Sequence, residues 1–344
     1  MGTRSSAPHK SLFPHGLHYR SHAKFTRFHP PSSIRASHCL APLHAREISV
    51  LIKSEFDIQF HLPAATPMVA MLHVHPSIEP LLVTPDELKV EVLGGEGNAT
   101  GTYELPVDQY FDSFGNRCSR FLAPAGALRL SGTNIISGDM APEPEPLSAQ
   151  QTPVERLPHE TLQFLLASRY CQVDQFVGIA QDLFGYTTPG WQRAAAIRDW
   201  VHWKVAFNYK MARSTKTAMD VFTERVGVCR DFQHLAVTLT RCMNIPARYV
   251  TGQFGDIRRP YSSPGDYSAW YQVWLDGRWW NMDARHNDAR YGRILMATGR
   301  DAADVAITTS FGQADLTHFY VESNEIDETG KPVPLPPAFP NPAQ

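Results

Sequence analysis

From Ile48 onward apolar and polar residues alternate, with Ile48, Val50 and Ile52 followed by Phe56, Ile58 and Phe60, and Lys53, Asp57 and Gln59 between them. A period of two places one face of a strand in a core and the other in water. Similar segments recur at 68–74, 88–92, 117–122 and 128–136, and Asp112-Ser-Phe-Gly-Asn116 reads as a turn. Short strands separated by turns predict an antiparallel β-sandwich over residues 47–137. Residues 138–153 carry too many prolines and polar side chains to pack, and are assigned to a linker.

Past the linker the apolar spacing changes to three and four: Leu162, Leu165 and Leu166, then Phe176, Ala180 and Leu183, then Ile197, Val201 and Val205. These are core-facing helical stripes. Thr217 followed by Asp220 predicts a capping box on a short helix that ends near Gly227. A second helix opens at Cys229 and runs to about Asn244, because Pro246 cannot continue it. Strand character returns at Tyr249, and residues 267–275 and 279–284 flank an Asp276-Gly277 turn, predicting a β-hairpin. The fold class is α+β: a sandwich, then helices packed on an antiparallel sheet.

Composition narrows the function. Five cysteines at 39, 118, 171, 229 and 242 include no Cys-x-x-Cys pair, which argues against a disulfide framework and against a zinc site, and points to a reducing, cytoplasmic setting. A formal net charge of −2 supplies no field for nucleic acid or an acidic membrane, and no apolar run is long enough to span a bilayer. No cofactor motif is read, and the oligomeric state is left open. The first 46 residues hold seven of the fifteen histidines and seven Lys or Arg, with no acidic residue before Glu47. They predict a disordered basic extension, with a transit peptide or a metal-binding tract as lesser readings. The proline-rich stretch 322–344 reads as a solvated or surface-wrapping tail after a core at 154–321.

Cys229 is the leading candidate for chemistry. Its thiol stands at a helix start, where unpaired backbone N–H groups favour the thiolate, the nucleophilic form. Arg230 and Asp231 beside it read either as part of that motif or as helix-surface charges.

Three blocks carry a resemblance: Gly227-Val-Cys-Arg-Asp-Phe-Gln-His234, Arg241-Cys-Met-Asn-Ile-Pro-Ala-Arg-Tyr249, and Ala269-Trp-Tyr-Gln-Val-Trp-Leu-Asp-Gly-Arg-Trp-Trp-Asn-Met-Asp283. Together they resemble the core of the transglutaminase-like superfamily. Tyr110-Phe-Asp-Ser-Phe-Gly-Asn-Arg117 is similar to the region that precedes this core in bacterial transglutaminase-like cysteine peptidases. The resemblance implies a papain-like core and a triad in which a Cys attacks an amide carbonyl, a His takes its proton and an Asp orients the His. Cys229 matches the nucleophile and Asp283 the acid. The His position is occupied by Ser268, whose hydroxyl is no base near neutral pH.

Strand parity keeps Ser268 in place. A turn at Asp276-Gly277 sets Trp270 opposite Asp283 and leaves Ser268 on the same face, where Asp283 is expected to hydrogen-bond it. A turn at Gly277-Arg278 would keep that parity. His286 is the possible substitute base, but in continued strand it faces away, and only a break after Ala284 would bring it round. His234, five residues along the helix and about 140° around its axis from Cys229, is expected in the core, as is Cys242.

Two functions stay open. One is a cysteine hydrolase or acyltransferase that acts on a peptide or protein amide through a Cys229 thioester. The other is a catalytically impaired module that holds a peptide in the same cleft.

Overall fold

The structure, a computed structural model, describes residues 50–94, 101–138, 143–261 and 265–337. The basic extension at 1–46 and the strand onset at Ile48 lie outside the described residues. No helix among the described residues is long and apolar enough to cross a membrane.

The two alternating runs merge into one strand. β1 (Val50–Leu62) turns Val50, Ile52, Ser54, Phe56, Ile58, Phe60 and Leu62 inward, and the polar member of that row, Ser54, donates to Gln253 Oε1 at 2.7 Å. β2 (Thr66–Ala70), β3 (Lys89–Leu93), β4 (Tyr103–Glu104), β5 (Asp108–Phe111), β6 (Arg117–Ala123) and β7 (Gly126–Gly138) follow. The turn before β6 forms as the sequence predicts, with Asp112 Oδ1 accepting from the backbone N–H groups of Phe114 at 2.8 Å and Asn116 at 2.9 Å.

Five helices come next: α1 (His159–Leu162), α2 (Val173–Phe184), α3 (Trp191–Lys204), α4 (Ala218–Glu224) and α5 (Cys229–Cys242). The Thr217–Asp220 capping box opens α4. The short strands β8 (Ala206–Phe207) and β9 (Val226–Gly227) pair in parallel, and β9 leads directly into α5. The chain then forms β10 (Ala247–Gln253), β11 (Tyr267–Leu275), β12 (Arg278–Met282) and β13 (Ile294–Gly299), and ends with β14 (Thr308–Ser310) and β15 (Asp315–Ile326).

Three antiparallel sheets result. The orders β15-β1-β7-β3-β4 and β14-β2-β6-β5 share one apolar core built around Ile58, Met68, Val90, Phe121, Leu128 and Leu130. The order β12-β11-β10-β13 packs Tyr271, Val273 and Leu275 against Phe232, Leu235, Ala236 and Leu239 of α5. The α+β class therefore holds, with a sandwich beside a helix-covered sheet.

Two features were not expected from the pattern. β15 pairs with β1 along most of its length, so it completes the sandwich after the core, and it crosses the position 321/322 where the tail was expected to begin. Residues 143–153 are also packed: Ala149 is buried and its carbonyl accepts from Trp191 N–H at 2.9 Å, while Gln150 C=O accepts from Asp276 N–H at 3.1 Å. Proline removes donors but leaves its neighbours' carbonyls free to accept, which is how this segment docks. The sandwich is tied to the core at Asn116, whose carboxamide accepts from Thr298 N–H at 2.8 Å and donates to Thr298 C=O at 2.9 Å.

Candidate active site

Cys229 occupies the first position of α5. Val228 before it is extended, and its N–H donates to Asp231 Oδ2 at 2.9 Å, so a buried carboxylate closes the first turn from inside. Asp231 is thus a cap and not a surface charge. A Cβ on Gly227 would lie 2.6 Å from Asp231 Cβ, which explains the glycine two residues before the thiol.

The thiol does not have the lowered pKa expected of a helix start. Cys229 is pushed up to about 11 by loss of solvent first, with Asp266 and Asp283 adding to it and the backbone N–H groups of Arg230 and Ala269 only partly offsetting it. The partial charge at a helix start is about half an elementary charge, too little to replace the water lost around an anion held mostly within the protein.

The hairpin forms in the Asp276-Gly277 register, with φ of +48° and +77° at the turn and Trp274 opposite Trp279. Its last pair is Tyr271 opposite Met282, and β12 stops there. The chain then folds into a tight turn in which Asn287 N–H reaches Asp283 C=O at 2.9 Å, with Asn287 itself at φ +54°. Asparagine tolerates that left-handed conformation better than most residues. This break brings His286 round.

Asp283 is the hub of the site, with a side chain 2 % exposed. Its Oδ1 accepts from Gln233 Nε2 at 3.0 Å and from the backbone N–H groups of Arg285 and His286 at 2.9 and 3.2 Å. Its Oδ2 accepts from His286 Nδ1 at 2.9 Å and Arg293 Nη2 at 3.0 Å. Burial alone would raise this carboxyl, but Arg293 and the His286 hydrogen bonds hold it well below the usual carboxylate range. Among the described residues Ser268 is not a partner of Asp283, contrary to the expected serine–aspartate contact, because the five donors already occupy both oxygens.

Cys229, Ser268 and His286 line one cavity of about 330 Å3. Phe207, Tyr209 and Phe254 add aromatic surface to it, and β15 contributes a wall at Val321–Asn324, which the sequence had placed at the edge of the tail. The expected core residues are in the core. His234 is fully buried, stacks on Tyr170 at 4.8 Å, and accepts from Ala302 N–H at Nε2 at 3.1 Å. Cys242 is buried at the far end of α5, and burial pushes its thiol up to about 12.

Three residues escaped the sequence reading. Gln233 bridges α5 to the hairpin, donating to Ala269 C=O at 3.1 Å as well as to Asp283, and accepting from Ala284 N–H at 3.2 Å. Its signal was present, because four residues after Cys229 it shares that helix face. Arg293 and Glu143, joined at 2.9 Å, had none: an ion pair across 150 residues has no period.

Residues 178–284 match the model of the transglutaminase-like superfamily, a span that includes Cys229, Ser268 and Asp283 and stops short of His286. An uncharacterized protein of Mycobacterium leprae is 38 % identical over 109 residues, which cover 29 % of this chain and 38 % of the length of that relative. The crystal structure of a candidate cysteine protease from Cytophaga hutchinsonii is similar over 83 % of this chain and 93 % of its own, with 27 % identity and a TM-score of 0.67. The periplasmic domain of TgpA from Pseudomonas aeruginosa aligns over 68 % of this chain and 90 % of that one, at 14 % identity and a TM-score of 0.33, too distant to add weight. Residues 178–284 are thus a transglutaminase-like core, set in a fold similar over most of the chain to that of the Cytophaga hutchinsonii structure.

Proposed function

We propose that the protein is a cysteine hydrolase or acyltransferase acting on a peptide or protein amide, with Cys229 as nucleophile, His286 as base and Asp283 as the group that orients the base. The observation that carries this reading is the 2.9 Å contact between His286 Nδ1 and Asp283 Oδ2 on the wall of the cavity that holds Cys229. An ionised carboxylate only accepts, so Nδ1 carries the hydrogen and Nε2 is the nitrogen left to take a proton. A thiol near 11 is almost wholly protonated at neutral pH. Attack therefore couples to proton transfer: the Cys229 S–H proton passes to His286 as the S–C bond to the amide carbonyl forms. His286 returns that proton to the departing amine as the C–N bond breaks, leaving an acyl thioester on Cys229. Water or a second amine then attacks the thioester carbonyl, His286 taking the attacker's proton and returning it to sulfur. The N–H groups of Arg230 and Ala269, which already act on the thiol, are the donors this reading assigns to the oxyanion.

The binding-module reading draws its support from Ser268 at the family histidine position. Intact-mass analysis after mixing with an activated ester or thioester of a peptide separates the two. An acyl adduct that maps to Cys229 and is lost in Cys229→Ser and His286→Ala supports the enzyme; no adduct on Cys229 with any acyl donor, alongside retained peptide binding, supports the module.

A further inference from the structure

Arg285 belongs to the same turn that brings His286 round. Its backbone N–H is fixed on Asp283 Oδ1 at 2.9 Å, and its side chain lines the cavity of Cys229. The guanidinium lies over the Phe207 ring, 3.8 Å from the centroid. Phe207 is paired with Gly227, two residues before Cys229, and its ring meets Tyr209 edge to face at 4.8 Å. The cation is therefore held between the entry to α5 and the candidate base. It differs from its neighbours in having no anion. Arg290, the other arginine on the cavity, donates to Asp288 Oδ1 at 3.0 Å, and Arg293 is shared by Glu143 and Asp283. Among the described residues no oxygen accepts from the Arg285 guanidinium, and its Nε is buried without a partner. An aromatic face stabilises a cation but does not accept the in-plane hydrogen bonds of a guanidinium, and a charged donor out of water without an acceptor is costly.

We infer that Arg285 is a substrate-binding residue that receives a carboxylate of the peptide, close to the attacked amide and on its departing-amine side. This deepens the proposed activity and rests on the cavity of Cys229 being where the amide binds. The planar fork of guanidinium N–H groups matches two carboxylate oxygens at once, which a lysine ammonium does not. His286 hands its proton to the departing amine, and Arg285 is its neighbour in the turn, so the carboxylate belongs on that side of the bond. An acidic side chain and a terminal α-carboxylate offer the same two oxygens. Asp266, on the same cavity, forms no ion pair with Arg285 among the described residues and repels an anion, which confines the favourable position to the Arg285 end.

The test uses three chloroacetyl dipeptides that alkylate Cys229 as its sulfur displaces chloride: chloroacetyl-Ala-Ala amide, the same peptide with a free α-carboxylate, and chloroacetyl-Glu-Ala amide. Rates on the full chain are followed by intact mass with peptide mapping, and each is divided by the rate of the same reagent with a small free thiol. One or both anionic reagents should gain about tenfold over the neutral one in the parent protein relative to Arg285→Met, the order expected of a charge-assisted hydrogen bond. Arg285→Lys should fall between the two. The reagent that gains identifies the source of the carboxylate. An anionic-to-neutral ratio that is the same in the parent and Arg285→Met for both reagents would overturn the inference. Because alkylation needs no turnover, dependence on Arg285 in a protein that never forms an acyl adduct on Cys229 would sink the proposed activity and leave this inference standing, and acylation without that dependence would do the reverse.

Discussion

His286 Nδ1 lies 2.9 Å from Asp283 Oδ2 across a turn of three residues, so the acid that the family sequence pairs with a histidine on the neighbouring strand is here paired with one on its own loop. Both groups need only the tight turn after β12 to meet. The register of the hairpin does not have to supply the pairing, and Ser268 remains on the cavity wall.

The cysteines give the first prediction. Cys118, Cys171 and Cys242 are buried, whereas Cys229 is partly exposed on the cavity; Cys39 lies outside the described residues. Iodoacetamide labelling with peptide mapping should modify Cys229 first of these four, with a midpoint above the ordinary thiol value of about 8.5, because burial and then Asp266 hold the proton on. Asp266→Asn should lower that midpoint. A midpoint below 8.5 in the parent protein would show that the helix start dominates after all.

Much of this arrangement could be read from the chain. The alternation of β1, the Thr217 cap, the Cys229 helix start and the Asp276-Gly277 turn are local patterns, and each is satisfied within a few residues. β15 was missed because its first half is exposed and its partner β1 lies more than 250 residues away, so no amphipathic row marks it. The side His286 faces depended on where β12 ends, and Asn287 at φ +54° was the one local hint of a break. The low thiol pKa was wrong because a helix start is visible in sequence while depth of burial is not.

Acid should destabilise the fold through His234. Burial holds this ring's pKa well below its ordinary value, with Arg230 and Arg241 adding to the effect. The unfolded chain binds a proton near pH 6.5 that the folded chain refuses, so stability is present above that pH and is lost as pH falls below it. Urea midpoints measured from pH 7.5 to 5 should decline, and His234→Gln, which keeps an acceptor for Ala302 N–H, should flatten the decline. An unchanged slope in that variant would remove His234 from the account.

Gly227→Ala should lower stability by about 1–3 kcal/mol, the usual cost of forcing a methyl into a filled site, because its Cβ would sit 2.6 Å from Asp231 Cβ and 2.7 Å from Asp231 Oδ2. Chemical denaturation measures this directly. Full stability together with unaltered Cys229 labelling would mean that the first turn of α5 has slack the structure does not show.

The most direct test of the relocated base is kcat/KM on one acyl donor for the parent protein, Ser268→Ala, His286→Ala and Ser268→His/His286→Ala. General-base assistance is typically worth 10²–10⁴-fold, so His286→Ala should fall by that order, Ser268→Ala should remain close to the parent, and the double variant should recover part of the loss only if its new imidazole reaches Cys229. Parent-like activity in His286→Ala, or a fall of that size in Ser268→Ala, would contradict the assignment of His286 as the base.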